Sequence, residues 1–465
     1  MTYLALTIGP IYKTLSNAKK TRELWGGSYL FSYIMKQIIT EFKSREFIVP
    51  YTKDERIFTE QNGIGLFHDR FIFEAQEGDR AKLDTAVEEV LKKLSSDTGL
   101  DYDFISNYLQ IHIVEKDKNE VKNPILDLTP YLDSAELMYN IGQYPENRLS
   151  KMLQGNNAFL TKEAFGAKHA FPSLPEIAMH DMLEIHPEIK SRINSDDELS
   201  IYDDKNIDFK PYHKYYAIVH ADGDSMGKVV KTLKEKKDFQ NFSKKLFEYC
   251  DASHTLIEAY GGETIFAGGD DLLFFAPVVS GNKTVFTLCD EISQDFDKCF
   301  NGEATLSFGV AIQYYKFPLY EALEKSRNLL FSDAKEGKKN NIAFSVSKHS
   351  GQTFSAVIHK GEKEMYENFK LFSSNIKGGE DIDNFLHSIH HKIDAHKVSL
   401  KEIMGNQQRL QAFFTNNFNK DVHNNYRDFF TQLIDFMVEA SKTSRGLESV
   451  YATLRFIKFI QGDKA

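Results

Sequence analysis

Residues 215 to 276 hold the feature that most limits what this chain can become: two pairs of aspartates, each placed at the end of an apolar run. Asp222 and Asp224 follow Tyr216, Ala217, Ile218 and Val219, an unbroken apolar stretch of the kind found in a strand covered on both faces. Asp270 and Asp271 lie between Thr264 to Ala267 and Leu272 to Ala276, which places them at the tip of a predicted hairpin. Gly268 and Gly269 are expected to supply the positive φ that a tight turn needs. Between the pairs, Phe239, Phe242, Leu246, Cys250 and Ile257 recur on one face of a predicted helix, at a period of about 3.6. Strand, helix and hairpin in that order bring both pairs to one end of one sheet.

Four carboxylates beside glycine-rich backbone repel one another unless cations sit among them, and all-oxygen ligands suit Mg2+ or Mn2+. Two such ions about 3.5 to 4 Å apart can activate a hydroxyl and stabilise the leaving oxygen of a phosphoryl displacement. A lone Gly-Gly-Asp-Asp is often no more than a turn with solvated acids. Here it follows a strand ending in Asp-Gly-Asp by a single helix, and that pairing favours a metal site held by Asp222, Asp270 and Asp271. Asp224 is the weakest ligand of the four, being equally suited to capping the helix that begins near Met226.

The remaining composition narrows the setting. A chain of 465 residues is too long for one ordinary core and is expected to form two to four domains. Its net charge of −10 argues against an indiscriminate nucleic-acid binder, because such binding rests on neutralised phosphates. Cys250, Cys289 and Cys299 give neither a disulfide framework nor a zinc pattern. The opening MTYLALTIG lacks a basic leader, and the longest apolar stretch, Tyr29 to Ile39, is short and carries Lys36 and Gln37. A cytoplasmic protein without a membrane span is the expectation.

Taken in order, residues 1 to 115 repeat the strand, helix and hairpin plan. ALTIGPIYK stands where IVHADGDSMGK stands later, and GLFHDRFIF where AGGDDLLFF stands later. Asp69, beside His68, is the one acid left in this first copy, too few to hold two ions, and a structural or partner-facing role is expected. Residues 116 to 210 carry short helical patterns (Ser134 to Asn140, Ile177 to Glu184) broken by prolines such as Pro130, and read as a helical connector. His180-Asp181 lacks the further ligands that a metal-binding His-Asp pair requires, so it reads as helix surface.

The central unit, 211 to 350, continues with an amphipathic helix (Val285, Leu288, Ile292, Phe296) and an alternating strand, Ala304 to Gln313, in which Gly309 permits close approach of a ligand or backbone. A helix from Pro318 to about Lys335 and a strand from Ile342 to Val346 follow. Lys335 and Lys339 in AKEGKKN lie near the carboxylate end of the sheet, where they could meet nucleotide phosphates or simply face solvent. The runs Lys13 to Arg22 and Lys228 to Lys237 read as solvent-facing. From 351 to 465 a bundle of about four helices is expected. Its His387, His390, His391 and His396 read as a surface cluster rather than a metal site.

IGPIYKTLSNAKKTRELWGGSYLFSYI, FPSLPEIA, HADGDSMGK, FAGGDDLL and LSFGVAI…PLYEALEKSRNLLFSDAKEGKKN together resemble the large palm-polymerase subunit of type III CRISPR effector complexes, most closely its Cmr (III-B) branch. The resemblance extends over residues 1 to about 350. It implies an α+β chain with two ferredoxin-like palm domains, one degenerate, a helical connector and a C-terminal helical bundle. It further implies an antiviral complex with other subunits, guide RNA and target RNA. In it, ATP is joined into a second messenger, a cyclic oligoadenylate or an AMP conjugate of S-adenosylmethionine. Carried over residue by residue, Asp222, Asp270 and Asp271 match the metal-binding acids, and Gly268 and Gly269 the glycines beside the nucleotide. Ser307 and Lys335 match pocket positions, and Gly223, Asp224, Ser225 and Lys339 are grouped with them in nucleotide binding.

Two departures stand out. The chain starts at the degenerate palm with no HD nuclease segment, so DNA cleavage is not expected of it. No cysteine precedes Cys250, so the connector is expected to fold without the zinc module common in the family. Three rivals remain: a diguanylate-type cyclase, which would normally show GGDEF or GGEEF where Leu272 follows here; a template-dependent polymerase, whose channel rich in basic residues the net acidity disfavours; and a non-enzymatic scaffold subunit.

Overall fold

The computed structural model describes residues 2–59, 67, 69–138, 148–164, 171–193, 201, 206–374 and 380–461. His68, the first arm of the hairpin expected from Gly63, and nearly all of the acidic loop Asp196 to Lys205 lie outside them. The described residues contain two palm sheets, the first wholly antiparallel and the second mixed. In the first, β1 (Thr2–Gly9), β2 (Phe47–Val49), β3 (Arg70–Ala75) and β4 (Gln110–Asp117) take the order β2-β3-β1-β4. Two helices, Thr21–Thr40 and Asp79–Thr98, cover one face. The helix Pro124–Glu136 covers the other, setting Leu128 and Leu132 against Tyr3, Ala5, Ile48 and Ile72. Pro130 lies inside that helix, so the proline read as a breaker is accommodated within it.

The second sheet repeats this plan and extends it. Its strands are β5 (Tyr215–Asp224), β6 (Glu263–Gly268), β7 (Asp271–Pro277), β10 (Thr305–Tyr314), β11 (Asn341–Ser347) and β12 (Thr353–His359), in the order β12-β11-β10-β5-β7-β6. A small ribbon of β8 (Val279–Ser280) and β9 (Lys283–Thr284) precedes the helix Val285–Phe300. β11 runs parallel to β10; every other neighbour is antiparallel. The strand β12, TFSAVIH, has no counterpart in the sequence reading. A boundary drawn after residue 350 would cut the β11–β12 hairpin, because alternating Ser355 and Val357 are less apolar than a buried strand usually is. The expected single helix after β5 is two, Met226–Thr232 and Lys236–Ala259.

Strand alternation gives the second sheet two different neighbours. Ala217, Val219, Phe274, Phe308 and Phe344 face the helices Lys236–Ala259 and Val285–Phe300 and the C-terminal helices, in one continuous core. Tyr216, Ile218, Ile265, Leu273 and Phe275 face the other way, into the core of the first palm. Phe286 contacts the rings of Phe344, Phe369 and Phe456, with centroids 4.8–5.2 Å apart, joining sheet, helix and bundle. The palms meet directly: Ser28 Oγ donates to the Ile265 carbonyl at 2.9 Å, and Lys236 pairs with Glu46 and Glu74. The basic run to Lys237 is therefore an inter-palm contact at Lys236, not wholly solvent-facing. His180 packs against Gly261, and Asp181 lies 3.5 Å from His213. No helix among the described residues is long and apolar enough to cross a membrane.

Gly309 is where the sheet admits backbone. A Cβ there would sit 2.2 Å from the Ser326 carbonyl and 2.5 Å from the Leu330 amide, where the helix Leu319–Asn328 widens into a π turn, Leu329–Ala334. Both obstacles are main chain and cannot rotate away. Gly309→Ala is expected to lower unfolding stability by about 1–3 kcal/mol or more. The helical and unobstructed Gly227→Ala should be neutral or stabilising by up to roughly 1 kcal/mol. Urea midpoints of the two variants check this, and equal midpoints would refute the close-packing argument.

Candidate functional site

The site is built on the end of β5. Its last residues, Asp222, Gly223 and Asp224, run alongside β10, with Ser307 opposite Asp222 and Thr305 opposite Asp224. On the other edge β5 pairs with β7 through Ala221 and Leu272, so one further antiparallel step brings Asp222 beside Asp271. The β6–β7 hairpin closes with Gly268 opposite Asp271, leaving Gly269 and Asp270 as a two-residue turn. Positive φ occurs at Gly269 alone, at 69°, the pattern of a II′ turn. Gly268, expected to share that role, serves a different one: a Cβ there would meet the Phe266 ring at 2.5 Å.

The turn carries Asp270 across β5. A Cβ on Gly223 would lie 2.6 Å from an Asp270 carboxylate oxygen and 2.7 Å from the Asp270 Cβ. Glycine at 223 is therefore what lets the tip of the hairpin settle onto the Asp-Gly-Asp backbone. The two pairs read from the sequence do meet at one sheet end.

Lysine and hydroxyl groups occupy two of the four acids. The Asp222 carboxylate contacts the Lys335 ammonium, which also donates to the Gly223 carbonyl at 3.0 Å and lies 3.9 Å from Asp224 Oδ1. Asp224 does not cap the following helix, whose first cap position is Ser225 with φ 64° and no side-chain bond. Instead its Oδ2 accepts from Thr305 Oγ1 (3.0 Å), Ser307 Oγ (2.8 Å) and the Asn340 amide (2.9 Å). Ser307 is fully buried beneath Asp224, rather than on an open wall. Lys339 is exposed, with φ 58°. Thr305 and the Asn340 amide were missed by sequence reasoning; the strand pairing that positions Thr305 leaves no mark in composition.

Among the described residues, no three His, Cys, Asp or Glu side chains converge to ligate one ion. Asp222 is turned to Lys335 and Asp224 is held by β10 and the Asn340 loop. Two observations nevertheless fit a hard cation here. Asp224 Oδ1 is buried and has no hydrogen-bond partner. Desolvation, then the neighbouring Asp271 and Asp224 charges, push the Asp270 carboxyl up to about 7. Asp271 is raised as well, by desolvation and by Asp69 of the first palm. It keeps an exposed outer edge, so water screens it and the rise is felt chiefly at Asp270. Burial and Lys339 lower Lys335 to about 8, while the touching Asp222 works the other way. Asp69 is pushed up to about 6 by burial; its field reaches the site, which the expected structural or partner-facing role did not include.

This arrangement, an Asp-Gly-Asp strand end under a Gly-Gly-Asp-Asp hairpin on a ferredoxin-like sheet, defines a palm domain of the nucleotidyl-transfer class. The family described as "Cas10/Cmr2, second palm domain" matches residues 215–343, and "CRISPR-associated protein Cmr2, N-terminal" matches residues 3–98. The CRISPR system Cmr subunit Cmr2 of Pyrococcus furiosus is 28% identical over 224 residues, covering 41% of this chain and 25% of that protein. The match thus spans a quarter of that relative's length. Residues 3–98 and 215–343 thus match the Cas10/Cmr2 family of type III CRISPR large subunits, the first stretch in its Cmr2 branch.

Solved structures agree in fold. A Csm1–Csm4 cassette in complex with cA4 matches at a TM-score of 0.57 and 12% identity, over 97% of this chain and 69% of that one. A type III-B Cmr-beta complex in the apo state matches at 0.51 and 13%, over 77% and 70%.

The raised Asp270 carboxyl fixes the sign of a pH effect. Its ordinary value is 3.8 and its folded value about 7, so the folded state holds the proton more tightly and stability falls as pH rises through that window. In buffer free of divalent ions, Asp270→Asn/Asp271→Asn is expected to melt above the parent at about pH 8, and the gap to close toward about pH 4. Mg2+ should raise the parent's melting temperature at the upper pH and leave the variant's unchanged. A parent indifferent to Mg2+ and Mn2+ would remove the ion site.

Proposed function

We propose that this chain is the nucleotide-joining subunit of an RNA-guided antiviral complex, in which pairing of target RNA with guide RNA switches the second palm on. The reading rests above all on one observation, the Asp270 carboxylate lying against Gly223 so that acids from two separate strands share one sheet end. Structures similar in fold are described as bound to ATP, to AMPPNP, to pppApA and to cA4, and lend support to ATP as the substrate. The product is a second messenger, a cyclic oligoadenylate or AMP conjugated to S-adenosylmethionine.

In the proposed reaction a 3′-hydroxyl of one ATP, or another acceptor, forms a bond to the α-phosphorus of a second ATP, and the bond to the β-phosphate oxygen breaks to release pyrophosphate. Asp222, Asp270 and Asp271 would hold Mg2+ or Mn2+, which supplies activation of the acceptor and neutralisation of phosphate charge. Lys335, already beside Asp222, and the exposed Lys339 would receive the phosphates. Gly268 and Gly269 keep the hairpin free of side chains where the nucleotide approaches. Asp224, tied to Thr305, Ser307 and Asn340, fixes the strand end and the lysine loop relative to each other, with Gly223 and Ser225 completing the turn.

The Lys335 contact with Asp222 favours one rival, a scaffold whose palm is permanently neutralised. Mass spectrometry of the assembled complex with ATP, with and without S-adenosylmethionine and matched RNA, separates the two. RNA-dependent adenylate product is expected, and Asp270→Ala/Asp271→Ala should reduce it by at least about 100-fold while the complex still assembles. An inert complex with matched RNA, or full synthesis in the double variant, would overturn the assignment.

A further inference from the structure

The end of the second sheet away from the carboxylates, where β5 begins and β10 and β11 finish, carries two clefts that share Lys348 and His349. One, of about 460 Å³, lies between the β11–β12 turn and the helices Glu380–Ala395 and Gly446–Gln461. The other, of about 750 Å³, lies against the β10 end and the helix Leu319–Asn328. Lys316, Lys325, Lys348, Arg455 and Lys458 line them, and among the described residues no aspartate or glutamate does. In a chain of net charge −10 this is a local concentration of positive potential set in concave surface, which attracts and focuses anions.

The floor between the clefts is aromatic, with His349 exposed and Tyr314 half-buried, and with Tyr215 and Phe459 buried beneath them as support. Phe459 meets Tyr215 at 4.9 Å between centroids, Tyr215 meets Tyr314 at 5.7 Å, and Tyr314 meets the exposed His349 ring at 4.6 Å. The platform is fixed in place, since the His349 amide donates to Tyr215 Oη at 3.0 Å. Arg455 is likewise set, over the Phe354 ring at 4.6 Å and donating to Gln352 Oε1. His390, stacked on Tyr451, lines the first cleft.

Cations that track a backbone, interleaved with rings on which bases can stack, are the two elements of a single-strand nucleic-acid site. An acidic protein segment would use the cations but not the rings. We infer that these adjoining clefts form a groove for single-stranded RNA, at the opposite end of the palm sheet from the chemistry. The groove deepens the RNA-partner part of the proposed function and is independent of the nucleotidyl transfer.

Fluorescence anisotropy of a labelled ten-nucleotide oligouridylate with the full chain, across a range of KCl concentrations, tests it. The triple variant Lys316→Ala/Lys348→Ala/Lys458→Ala should weaken binding by about 10- to 100-fold and lower the salt slope by about 2, as three lost single-strand phosphate contacts require. Removing equal charge from the exposed Lys13, Lys19 and Lys20 should change binding by less than about 3-fold, and Asp270→Ala/Asp271→Ala should bind as the parent does. Circular dichroism melting establishes that each variant is folded. Unchanged affinity and slope in the triple variant, or equal loss in the Lys13 set, overturns the groove alone. No RNA binding by the parent overturns the groove together with RNA contact by this chain. Competition by polyglutamate at equal charge would make an acidic protein the occupant and overturn the nucleic-acid assignment.

Discussion

The hairpin tip rests on the backbone of Gly223, and the chemistry available to this chain depends on that one close approach. Any side chain at 223 would lift Asp270 away from the end of β5, leaving two separated pairs of solvated acids. Bringing them together has an electrostatic cost, visible as the raised carboxyls of Asp270 and Asp271. Nearby atoms answer part of it: Lys335 touches Asp222, and Thr305, Ser307 and the Asn340 amide satisfy one oxygen of Asp224. What remains is one Asp224 oxygen without a hydrogen bond and a hairpin pair that holds protons more tightly than solvated aspartates do.

Lys335 is placed by packing some distance from the acids. It follows the π turn Leu329–Ala334, and that turn lies where Gly309 admits the main chain of Ser326 and Leu330 onto the sheet. The lysine loop and the acid strand are therefore parts of one rigid arrangement, tied at Asp224. Lys335 is also half-buried, with burial and Lys339 lowering its pKa. An anionic phosphate arriving there would meet a cation that is poorly solvated and already oriented.

Much of this was legible because strand and helix periods are local properties. The apolar run before Asp222, the face shared by Phe239, Phe242, Leu246, Cys250 and Ile257, and the tight approach at Gly309 all read correctly from spacing. Other features depend on partners far apart in the chain and left no local trace. Lys335 and Asp222 are more than a hundred residues apart, and AKEGKKN reads equally well as a solvated loop. The strand Thr353–His359 alternates too weakly to be told from loop, since its exposed face carries Thr353 and Ser355 and its pairing with β11 supplies the order. Asp69 was recognised as the first palm's remaining acid, but only the docking of the palms shows that its charge reaches Asp271.

The two palms are unequal in a way that the packing explains. Both share the ferredoxin-like strand order, yet in the first the β1 end carries Gly9-Pro10 where the second has acids. The first copy therefore contributes surface rather than ligands: its helix Thr21–Thr40 seats on β6, and Asp69 adds a field. The second sheet is held on both faces, by the first palm on one side and by the helical bundle on the other. β5 spans about 30 Å from the basic clefts to the acids. A sheet clamped in this way has little freedom to bend alone, so the strand bearing Asp222 and Asp224 is held in one body with the first palm and the bundle.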